Sequence, residues 1–578
     1  MATKHNGPAR AQMTGAEALI KAVEAEGVRH VFGNPGTIEI DILDAIGQTP
    51  SLTYVLGLHE EAAMAMADGY ARATGRPSFA NLHAMVGTAN GMGALLTAAK
   101  DRTPIVVSAG CHDTRHLFRD AQGEALDLIG TVRQFTKHSL VVPNPSRIAE
   151  ETARAFKIAG ALPTGPTYMA IPKDFLRAPV EVEVPDPAGF QVARRIPADP
   201  GEIDRAADLL LRAEHPVLVA GGQVVAHGAA DLLAELAELL ALPVFAEPFG
   251  TYLSVASTHP CYLGLYAPGH PMVAEASLVI GVGSRMFIEP DYPRVPMVPR
   301  GADVVHIHED PWEVARVYPT AVPIVADSLS ALRALLEAVR ARMTTGHARG
   351  IASRRGVVAR AAMALRQARD AELGQARDAV PIKPWRLVAE LSQVCDDNAL
   401  IVNQAVTMGN YILRGYEFRR PGTFAMNSST YMGWGIGAAI GWKLGDPSRT
   451  VVSCVGDGVV VYGAQGLWSA ARYRIPVVFV VFNNGTYMAI KSALHDHTRH
   501  AAKTGTYVGT DIGDPAVDLV GLAQSMGVEA VEVARPAEIR PALERALGAG
   551  RPILLNVIID PSEMGAHRPK AQTAVGRN

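Results

Sequence analysis

The segment from residue 451 to residue 490 constrains the fold of this chain more than any other. It reads VVSCVGDGVVVYGAQGLWSAARYRIPVVFVVFNNGTYMAI. The apolar run 451–455 has the length and the bounding glycine of a buried parallel strand, and a second such run covers residues 475–482. The intervening residues, roughly 463–473, have the character of a helix. This order of strand, helix and strand predicts one βαβ unit of a parallel α/β sheet.

Polar side chains follow both strands of this unit, at the point where each strand ends. The first strand stops at GDG, which contains Asp457, and the second stops at NNGT, which contains Asn484 and Thr486. Neighbouring strand ends in an open α/β sheet form the edge at which such sheets bind ligands. A carboxylate, an amide oxygen and a loop carbonyl make an all-oxygen set that suits Mg²⁺ together with phosphate oxygens. Either tripeptide alone would be an ordinary turn, but the two together, one crossover apart, predict a metal site.

Length and composition indicate a large globular protein with several domains. At 578 residues the chain is too long for one hydrophobic core, and length alone predicts three or four domains. The formal net charge of −3 gives no basic field, so we expect neither nucleic acid nor a membrane as a partner. The scattered cysteines indicate buried thiols of a reducing compartment. Together with the lack of a signal region or bilayer-length apolar stretch, they predict a cytoplasmic enzyme.

Predicted strands and helices alternate along the whole chain, which indicates an α/β protein with three parallel-sheet domains. We place the first domain at residues 12–185, the second at 190–345, and the third, which carries the βαβ unit, at 381–560. Residues 346–380 are rich in Ala and Arg and show little apolar periodicity, so they predict an exposed, partly helical linker.

Two further segments leave the presence of a second ligand open. The glycine-rich turns at residues 221–222 and 281–283 could cradle a nucleotide phosphate. The alternative, tight turns from strand to helix, is favoured because isolated glycine motifs often match by chance. Residues 491–507, KSALHDHTRHAAKTGTY, form either a cationic rim for an anionic substrate or, in the preferred interpretation, a solvated charged loop.

The combination of GDG and NN resembles the diphosphate–metal motif of the thiamine diphosphate (ThDP) enzymes. The resemblance implies that Asp457, Asn484 and the carbonyl of Thr486 bind Mg²⁺, which in turn holds the diphosphate of the cofactor. It also implies that Met432 is an apolar wedge that bends the cofactor, and that the carbonyl of Thr430 accepts a hydrogen bond from its 4′-amine. The further cofactor contacts that it implies come from a hydroxyl and from groups at the strand ends, namely Thr407, Gly456, Gly458, Val459, Asn484 and Thr486.

In the ThDP family a buried glutamate from the partner subunit hydrogen-bonds the aminopyrimidine ring of the cofactor. Glu60 resembles this catalytic residue because it ends a predicted strand in LHEEAAMAMADGYAR and precedes a helix rich in small residues. Glu61 is the alternative, but counting back from ADGY at residues 67–70 favours Glu60. Without the resemblance, a glutamate that merely stabilises the start of a helix would be equally expected. The resemblance also implies a homodimer or homotetramer with active sites between subunits.

Several motifs narrow the resemblance to the benzoylformate decarboxylases: VFGNPGT, FANLHAMVGTANGMGAL and PIVVSAG in the first domain, and MGWGIGAAIG and NNGTYMAI in the third. The most telling residue is His83, at the end of NLH, because that family has a histidine there that transfers protons to and from bound intermediates. Acetolactate synthases and hydroxyacyl-CoA lyases typically lack it. A lone histidine is more often structural, but the end of a parallel strand beside a glycine-rich turn favours a catalytic role.

Three positions depart from the benzoylformate decarboxylase pattern. Thr37 stands where that family has a serine that holds the substrate carboxylate, so the hydroxyl is kept and an added methyl group narrows the pocket. Ile288 stands at the position of a second catalytic histidine, and Gln404 at the position of an acidic residue. The missing histidine leaves the substrate and the last product step open.

The resemblance implies an enzyme: a ThDP- and Mg²⁺-dependent lyase that decarboxylates a 2-oxo acid without oxidation and also has carboligase activity. The alternative is acyl transfer, as in acetolactate synthases, or cleavage of a 2-hydroxyacyl-CoA. The missing second histidine favours this alternative, and bound FAD or CoA would indicate it. A third hypothesis, a non-catalytic ThDP-binding subunit, is disfavoured because Glu60 and Asp457 are both present.

Overall fold

The three-dimensional structure is a computed structural model that describes residues 11–289, 292–293 and 295–563. Within these residues the chain forms three six-stranded sheets, and all neighbouring strands in them are parallel. The predicted α/β fold with three parallel-sheet domains is therefore confirmed.

The N-terminal domain places its site residues where its parallel strands end. Its strands are β1 (Ala11–Thr14), β2 (His30–Gly33), β3 (Thr53–Leu56), β4 (Ser78–Leu82), β5 (Ile105–Cys111), β6 (His138–Val141), β7 (Thr167–Pro172) and β8 (Pro179–Val182). Its helices are α1 (Gly15–Ala25), α2 (Ile40–Gly47), α3 (Glu60–Thr74), α4 (Ala84–Asn90), α5 (Met92–Lys100), α6 (Leu128–Arg133), α7 (Ile148–Gly160) and α8 (Lys173–Arg177). The sheet has the order β3-β2-β4-β5-β7-β6, and β1 pairs with β8 in a separate antiparallel ribbon. β4 and β5 are buried along their whole length, as expected for central strands of a parallel sheet.

The central domain is a second parallel sheet with the order β11-β10-β9-β12-β13-β14. Its elements are α9 (Pro200–Arg212), β9 (Pro216–Ala220), α10 (Gln223–Ala226), α11 (Ala230–Leu240), β10 (Val244–Ala246), β11 (Tyr262–Leu265), α12 (Pro271–Ala274), β12 (Leu278–Val282), β13 (Asp303–His308), β14 (Val322–Val325) and α13 (Ser328–Arg342). The middle strands β9 and β12 are fully buried.

Helix α14 (Thr345–Gln375) connects the central and C-terminal domains as one continuous helix of 31 residues. The sequence predicts only a partly helical linker here. The apolar pattern is weak because α14 buries only Ile351, Val358 and Ala362, a narrow stripe on an otherwise exposed helix.

The C-terminal domain is the third parallel sheet, with the order β16-β15-β17-β18-β20-β19. Its strands are β15 (Leu400–Gln404), β16 (Phe424–Met426), β17 (Val451–Gly456), β18 (Val478–Asn483), β19 (Glu529–Val533) and β20 (Ile553–Ile558). Its helices are α15 (Pro384–Val394), α16 (Gly409–Gly415), α17 (Trp434–Gly445), α18 (Asp457–Arg472), α19 (Met488–His497), α20 (Arg499–Thr504), α21 (Leu519–Ser525) and α22 (Pro536–Gly548). Residues 491–507 thus belong largely to α19 and α20, and their interpretation as a loop is wrong.

The predicted βαβ unit is present, and its helix starts earlier than the sequence indicates. Strands β17 and β18 are parallel neighbours, with Gly456 opposite Phe482, so the two strands end at the same edge of the sheet. Helix α18 begins at Asp457 itself and not near residue 463. The valines at 459–461 obscure this start, because β-branched residues favour strands over helices.

Helices α3 and α17 pack closely and join the N-terminal and C-terminal domains. A Cβ atom at Gly441 would lie 1.8 Å from the backbone oxygen of Met66, and one at Gly437 would lie 2.6 Å from the Cβ of Ala65. Only glycine permits this approach of the two backbones, which explains the motif MGWGIGAAIG. The contact brings the N-terminal ends of both helices together.

A buried ionic network reinforces this contact between α3 and α17. The guanidinium of Arg72 lies 2.6 Å from a carboxylate oxygen of Asp68 and 2.6 Å from one of Asp101. The indole N–H of Trp434, the first residue of α17, donates to Asp68 at 3.0 Å. Burial raises the pKa of Asp68, and the adjacent Arg72 opposes that effect.

In the part of the chain that the structure describes, no helix has the length and apolar character to cross a membrane.

Candidate active site

Asp457 and the loop after β18 lie together at the edge of the C-terminal sheet. The carboxylate of Asp457 accepts hydrogen bonds from the backbone N–H groups of Gly458 at 2.8 Å, Gly485 at 2.7 Å and Asn484 at 3.2 Å. The side-chain oxygen of Asn484 accepts from the N–H of Thr486 at 3.1 Å. The structure therefore brings together the three residues for which the sequence predicts metal binding.

The chemistry of this cluster fits a hard cation. Asp457 is buried, and burial raises the pKa of its carboxyl group. No cationic side chain among residues 11–289, 292–293 and 295–563 forms an ion pair with it, and a buried carboxylate without a counter-charge is unfavourable. Those residues also contain no group of three or more His, Cys, Asp or Glu side chains that could hold a metal alone. The donors present, one carboxylate with amide and carbonyl oxygens, suit Mg²⁺ that completes its shell with phosphate oxygens and water.

The N-terminus of α18 and the turn after β15 provide room for a diphosphate. Gly456, the N-cap of the 16-residue helix α18, forms no side-chain cap, and a Cβ atom there would meet nothing within 4 Å, although one N–H group of the first turn, that of Gly458, donates to Asp457. Uncapped N–H groups at a helix N-terminus attract phosphate. Thr407 lies in a 3-10 turn after Val406, which adopts a φ of +50°. A β-branched residue in this left-handed conformation is strained, as is common where a backbone is shaped for a ligand.

The loop of residues 430–433 places Met432 above the start of α18. A Cβ atom at Gly458 would lie 3.4 Å from the Cε of Met432. Thr430 and Gly433 both have positive φ angles, of 63° and 95°. Gln404 fixes the loop, because its amide N–H donates to the carbonyl of Tyr431 and its oxygen accepts from the N–H of Gly435 at 2.7 Å. The departure from the expected acidic residue at position 404 thus has a structural role.

Glu60 and Glu61 begin helix α3 and face different domains. Glu60 is buried within its own domain, where its carboxylate accepts from the side-chain amide of Asn90 at 3.0 Å and lies against Gly87. Glu61 faces the C-terminal domain: a Cβ atom at Gly433 would lie 2.0 Å from its Oε1, and it hydrogen-bonds Tyr431. Burial raises the pKa of Glu61 to about 7. Glu61 is thus occupied by contacts with the C-terminal domain. Glu60 therefore remains the candidate for the glutamate that hydrogen-bonds the aminopyrimidine ring of the cofactor.

His83 follows β4 and lies close to Glu60. A Cβ atom at Gly87, the residue that contacts the Glu60 carboxylate, would lie 3.2 Å from the Cβ of His83. The imidazole is partly exposed, and its Nδ1 lies 3.0 Å from a carboxylate oxygen of Glu39. A Cβ atom at Gly36 would lie 1.6 Å from this Nδ1, so the GNPGT turn packs directly on the ring. Thr37, the next residue, is exposed.

Glu39 is the residue at this site that sequence reasoning missed. It is fully buried, and its Oε1 accepts from the N–H groups of Ala84 at 3.0 Å and Gly110 at 2.8 Å. The available signal was its position two residues after Thr37 on the loop that follows β2. A glutamate between two isoleucines gives no periodic indication that it is buried.

The central domain contributes a cavity at the junction of the three domains. Its volume is about 390 Å³, and Ile288 and Arg285 are among the residues that line it. Gly222 and Gly283 of the glycine-rich turns also line this cavity, and both turns make close contacts within the protein. A Cβ atom at Gly221 would lie 2.1 Å from the carbonyl oxygen of Gly283, and one at Gly222 would lie 2.3 Å from the hydroxyl of Thr251. These distances are those of tight turns, and the phosphate cradle stays an alternative because two of the glycines line the cavity.

Family models match the chain in three consecutive parts. The N-terminal TPP binding domain of thiamine pyrophosphate enzymes matches residues 13–130, and the central domain of these enzymes matches residues 203–335. The C-terminal TPP binding domain matches residues 406–557. Each match falls within one of the three parallel-sheet domains.

Individual relatives agree with these matches. The benzoylformate decarboxylase of Pseudomonas aeruginosa is 30% identical over 93% of this chain and 98% of its own. A probable acetolactate synthase large subunit of Methanocaldococcus jannaschii is 30% identical over 95% of this chain and 93% of its own. The solved structure of a thiamine diphosphate-dependent 4-hydroxybenzoylformate decarboxylase from Rhodococcus jostii RHA1 has a TM-score of 0.81 and 28% identity, covering 95% of this chain and 100% of that one.

The chain therefore belongs to the thiamine pyrophosphate enzyme family, whose cofactor is ThDP. Within this family it is related both to benzoylformate decarboxylases and to acetolactate synthases. The resemblance inferred from the sequence motifs is confirmed.

Proposed function

We propose that this protein decarboxylates a 2-oxo acid without oxidation, using ThDP and Mg²⁺, and that it also joins the resulting aldehyde unit to a second carbonyl compound. The observation that carries the proposal is the position of His83. It lies at the end of β4, and its Nδ1 is 3.0 Å from a carboxylate oxygen of the buried Glu39. Its Nε2 makes no hydrogen bond among the described residues and is available to a substrate. An imidazole in this position suits proton transfer during release of an aldehyde.

The residues of the C-terminal domain would hold the cofactor. Asp457, the amide oxygen of Asn484 and the carbonyl of Thr486 would bind Mg²⁺ and, through it, the diphosphate. The groups that would contact the cofactor directly are the hydroxyl of Thr407, the N-terminal N–H groups of α18, the carbonyl of Thr430 and the side chain of Met432. Once bound, ThDP supplies the electron sink that loss of CO₂ requires.

Three residues of the N-terminal domain would act at the reacting end. Glu60 would hydrogen-bond the aminopyrimidine ring, which needs a buried carboxyl group such as the one that Asn90 now contacts. The hydroxyl of Thr37 would bind the carboxylate of the substrate. His83 would hold and return a proton at Nε2.

Exposed apolar side chains in both site-bearing domains support an assembly in which partner subunits complete the site. Val86, Phe118 and Leu126 are exposed in the N-terminal domain, in and after helix α4, whose start carries the His83 site. Val461 and Tyr462 on α18 are exposed beside the cluster around Asp457. Burial of these apolar groups against a partner subunit would remove them from water. We therefore propose a homodimer or homotetramer with active sites between subunits.

Product analysis tests the decarboxylase proposal. The protein, supplied with ThDP and Mg²⁺, is incubated with a panel of aromatic and aliphatic 2-oxo acids, and CO₂, aldehydes and acyloins are measured. We expect CO₂ and an aldehyde from at least one acid, and loss of both products in the variant Glu60→Gln. Absence of CO₂ and acyloin from every acid would reject the proposal.

Ile288 favours a second candidate function. It lines the cavity between the domains at the position where the benzoylformate decarboxylase pattern has a second proton-transferring histidine, so that histidine is replaced here by an apolar side chain. Acyl transfer of the acetolactate synthase type, or cleavage of a 2-hydroxyacyl-CoA, fits this arrangement. Native mass spectrometry of the purified protein distinguishes the candidates, because retained FAD or CoA would favour the second.

A further inference from the structure

The oxygen atoms of Glu39 are divided between two kinds of donor. Oε1 accepts from two backbone N–H groups, those of Ala84 at 3.0 Å and Gly110 at 2.8 Å. Oε2 lies 3.0 Å from Nδ1 of His83. The side chain is fully buried, so water does not compete for these oxygens. A carboxylate has no hydrogen to donate, so both of its oxygens act as acceptors towards the groups around them.

This arrangement decides where the hydrogen of a neutral His83 resides. Because Glu39 can only accept, Nδ1 must donate, and Nε2 then keeps its lone pair. We propose that Glu39 is a positioning residue that holds the hydrogen of His83 on Nδ1 and directs the Nε2 lone pair at the substrate, a role that rests on the function proposed above. Nε2 takes a proton from the substrate-derived group and returns the same proton later. The carboxylate of Glu39 stabilises the positive charge that the ring carries in between. A buried aspartate does the same for the histidine of the serine-protease triad.

Two glycines give the pair its fixed geometry. A Cβ atom at Gly36 would lie 1.6 Å from Nδ1 of His83, so the ring is confined between this glycine and Glu39. A Cβ atom at Gly110 would lie 2.5 Å from Oε1 of Glu39, so the carboxylate reaches the backbone only because residue 110 lacks a side chain. All the residues that fix the contact between Glu39 and His83 therefore belong to the N-terminal domain, and the contact does not depend on a partner subunit.

The variant Glu39→Gln reverses the direction of the hydrogen bond between residue 39 and Nδ1 of His83, while the side chain at position 39 keeps its size and shape. The amide oxygen can keep the two backbone donors, and the amide NH₂ then donates to Nδ1 of His83. Neutral His83 must now carry its hydrogen on Nε2, the wrong tautomer for accepting a proton there. We expect kcat for decarboxylation to fall by about 100-fold or more, the range typical of losing a positioned proton-transfer group. Binding of ThDP is expected to stay at the wild-type level.

The tautomer is measured directly by ¹⁵N NMR of protein labelled at histidine, with the His83 signals identified by subtraction of the spectrum of His83→Gln. We expect a protonated Nδ1 in the wild type and a protonated Nε2 in Glu39→Gln. The control is Asp41→Asn, which removes a carboxylate two residues away that pairs with Arg177 at the surface. It should change neither the tautomer nor kcat.

Two results would overturn the proposal. One is a wild-type His83 protonated on Nε2, which decides the question even if Glu39→Gln does not fold. The other is a folded Glu39→Gln protein with wild-type kcat or an unchanged tautomer. Failure of the decarboxylase proposal is separable, because the NMR readout requires no turnover: a protein without decarboxylase activity can still show the expected pair of tautomers.

Discussion

Glu60 and Glu61 are neighbours in the chain with different surroundings. Glu60 contacts Asn90 and Gly87 in its own domain, whereas Glu61 contacts Tyr431 and the backbone at Gly433 across the domain boundary. Successive residues in a helix point about 100° apart, so two neighbouring side chains at the start of one helix can face different domains. Glu61 thereby supports the loop that carries Thr430 and Met432.

The raised pKa of Glu61 predicts a pH-dependent stability. Burial raises it from 4.5 to about 7, so between these pH values the folded protein holds a proton that the unfolded chain releases. The unfolded state binds fewer protons in this window, and stability falls as the pH rises through it. We expect Glu61→Gln to gain stability over the wild type between pH 5 and pH 8. The gain should be on the order of 1 kcal/mol, since part of the effect is screened by solvent.

Urea unfolding of both proteins at several pH values measures this difference. Glu544→Gln, which removes an exposed carboxylate on α22, serves as the control and should follow the wild type at every pH. A constant difference between Glu61→Gln and the wild type from pH 5 to pH 8 would contradict the expected protonation.

At the scale of elements, the contact between α3 and α17 sets the geometry of the site. The two helices approach so closely that glycine is required on both, at Gly69 on α3 and at Gly437 and Gly441 on α17. Their N-terminal ends carry Glu60 and the loop of Met432. A change in the spacing of the helices is therefore expected to move both groups.

Gly441→Ala tests this contact. The added methyl group would start 1.8 Å from the backbone oxygen of Met66, so the helices must separate. We expect a loss of at least about 1–3 kcal/mol, the usual cost of overpacking, together with weaker ThDP binding. Thermal unfolding and a ThDP titration followed by tryptophan fluorescence provide the measurements.

Gly350→Ala is the matched control for that substitution. Gly350 lies in α14, and a Cβ atom there would meet nothing within 4 Å. Alanine should stabilise this exposed helix by about 0.5–1 kcal/mol, because glycine is the poorer helix former. Equal effects of the two substitutions would show that helix propensity, and not the close contact, determines the result.

At the scale of the whole molecule, the groups that we propose to be catalytic are divided between two domains. The N-terminal domain carries Glu60 and His83, and the C-terminal domain carries the Asp457 cluster. The proposed assembly joins the N-terminal half of one subunit to the C-terminal half of its partner. In a dimer with twofold symmetry this creates two equivalent sites.

Complementation between two inactive variants tests the shared site. We expect Glu60→Gln and Asp457→Asn to be inactive separately. When they are co-expressed with different affinity tags and purified through both, each mixed dimer has one site with both native residues. Up to about half of the wild-type activity should return, since one of two equivalent sites is restored. Mixed assemblies as inactive as their parents would indicate that each site lies within one chain.

The sequence alone determined the parts of this protein that depend on local pattern. Buried apolar runs alternating with helices predict the three parallel sheets, and the adjacency of Asp457 and Asn484 follows from two strands joined by one crossover. The same rule predicts His83 at a strand end. The catalytic and metal-binding roles of these residues remain predictions, because pattern gives position and not chemistry.

Only the tertiary structure decided the features that depend on contacts between distant residues. The burial of Glu39 results from backbone donors at Ala84 and Gly110, which are remote from it in sequence. The orientation of Glu61 depends on α17, and the length of α14 depends on a stripe of only three buried residues. Propensity and periodicity describe neighbours along the chain, whereas these features arise from free energies of packing and hydrogen bonding that exist only once the domains have assembled.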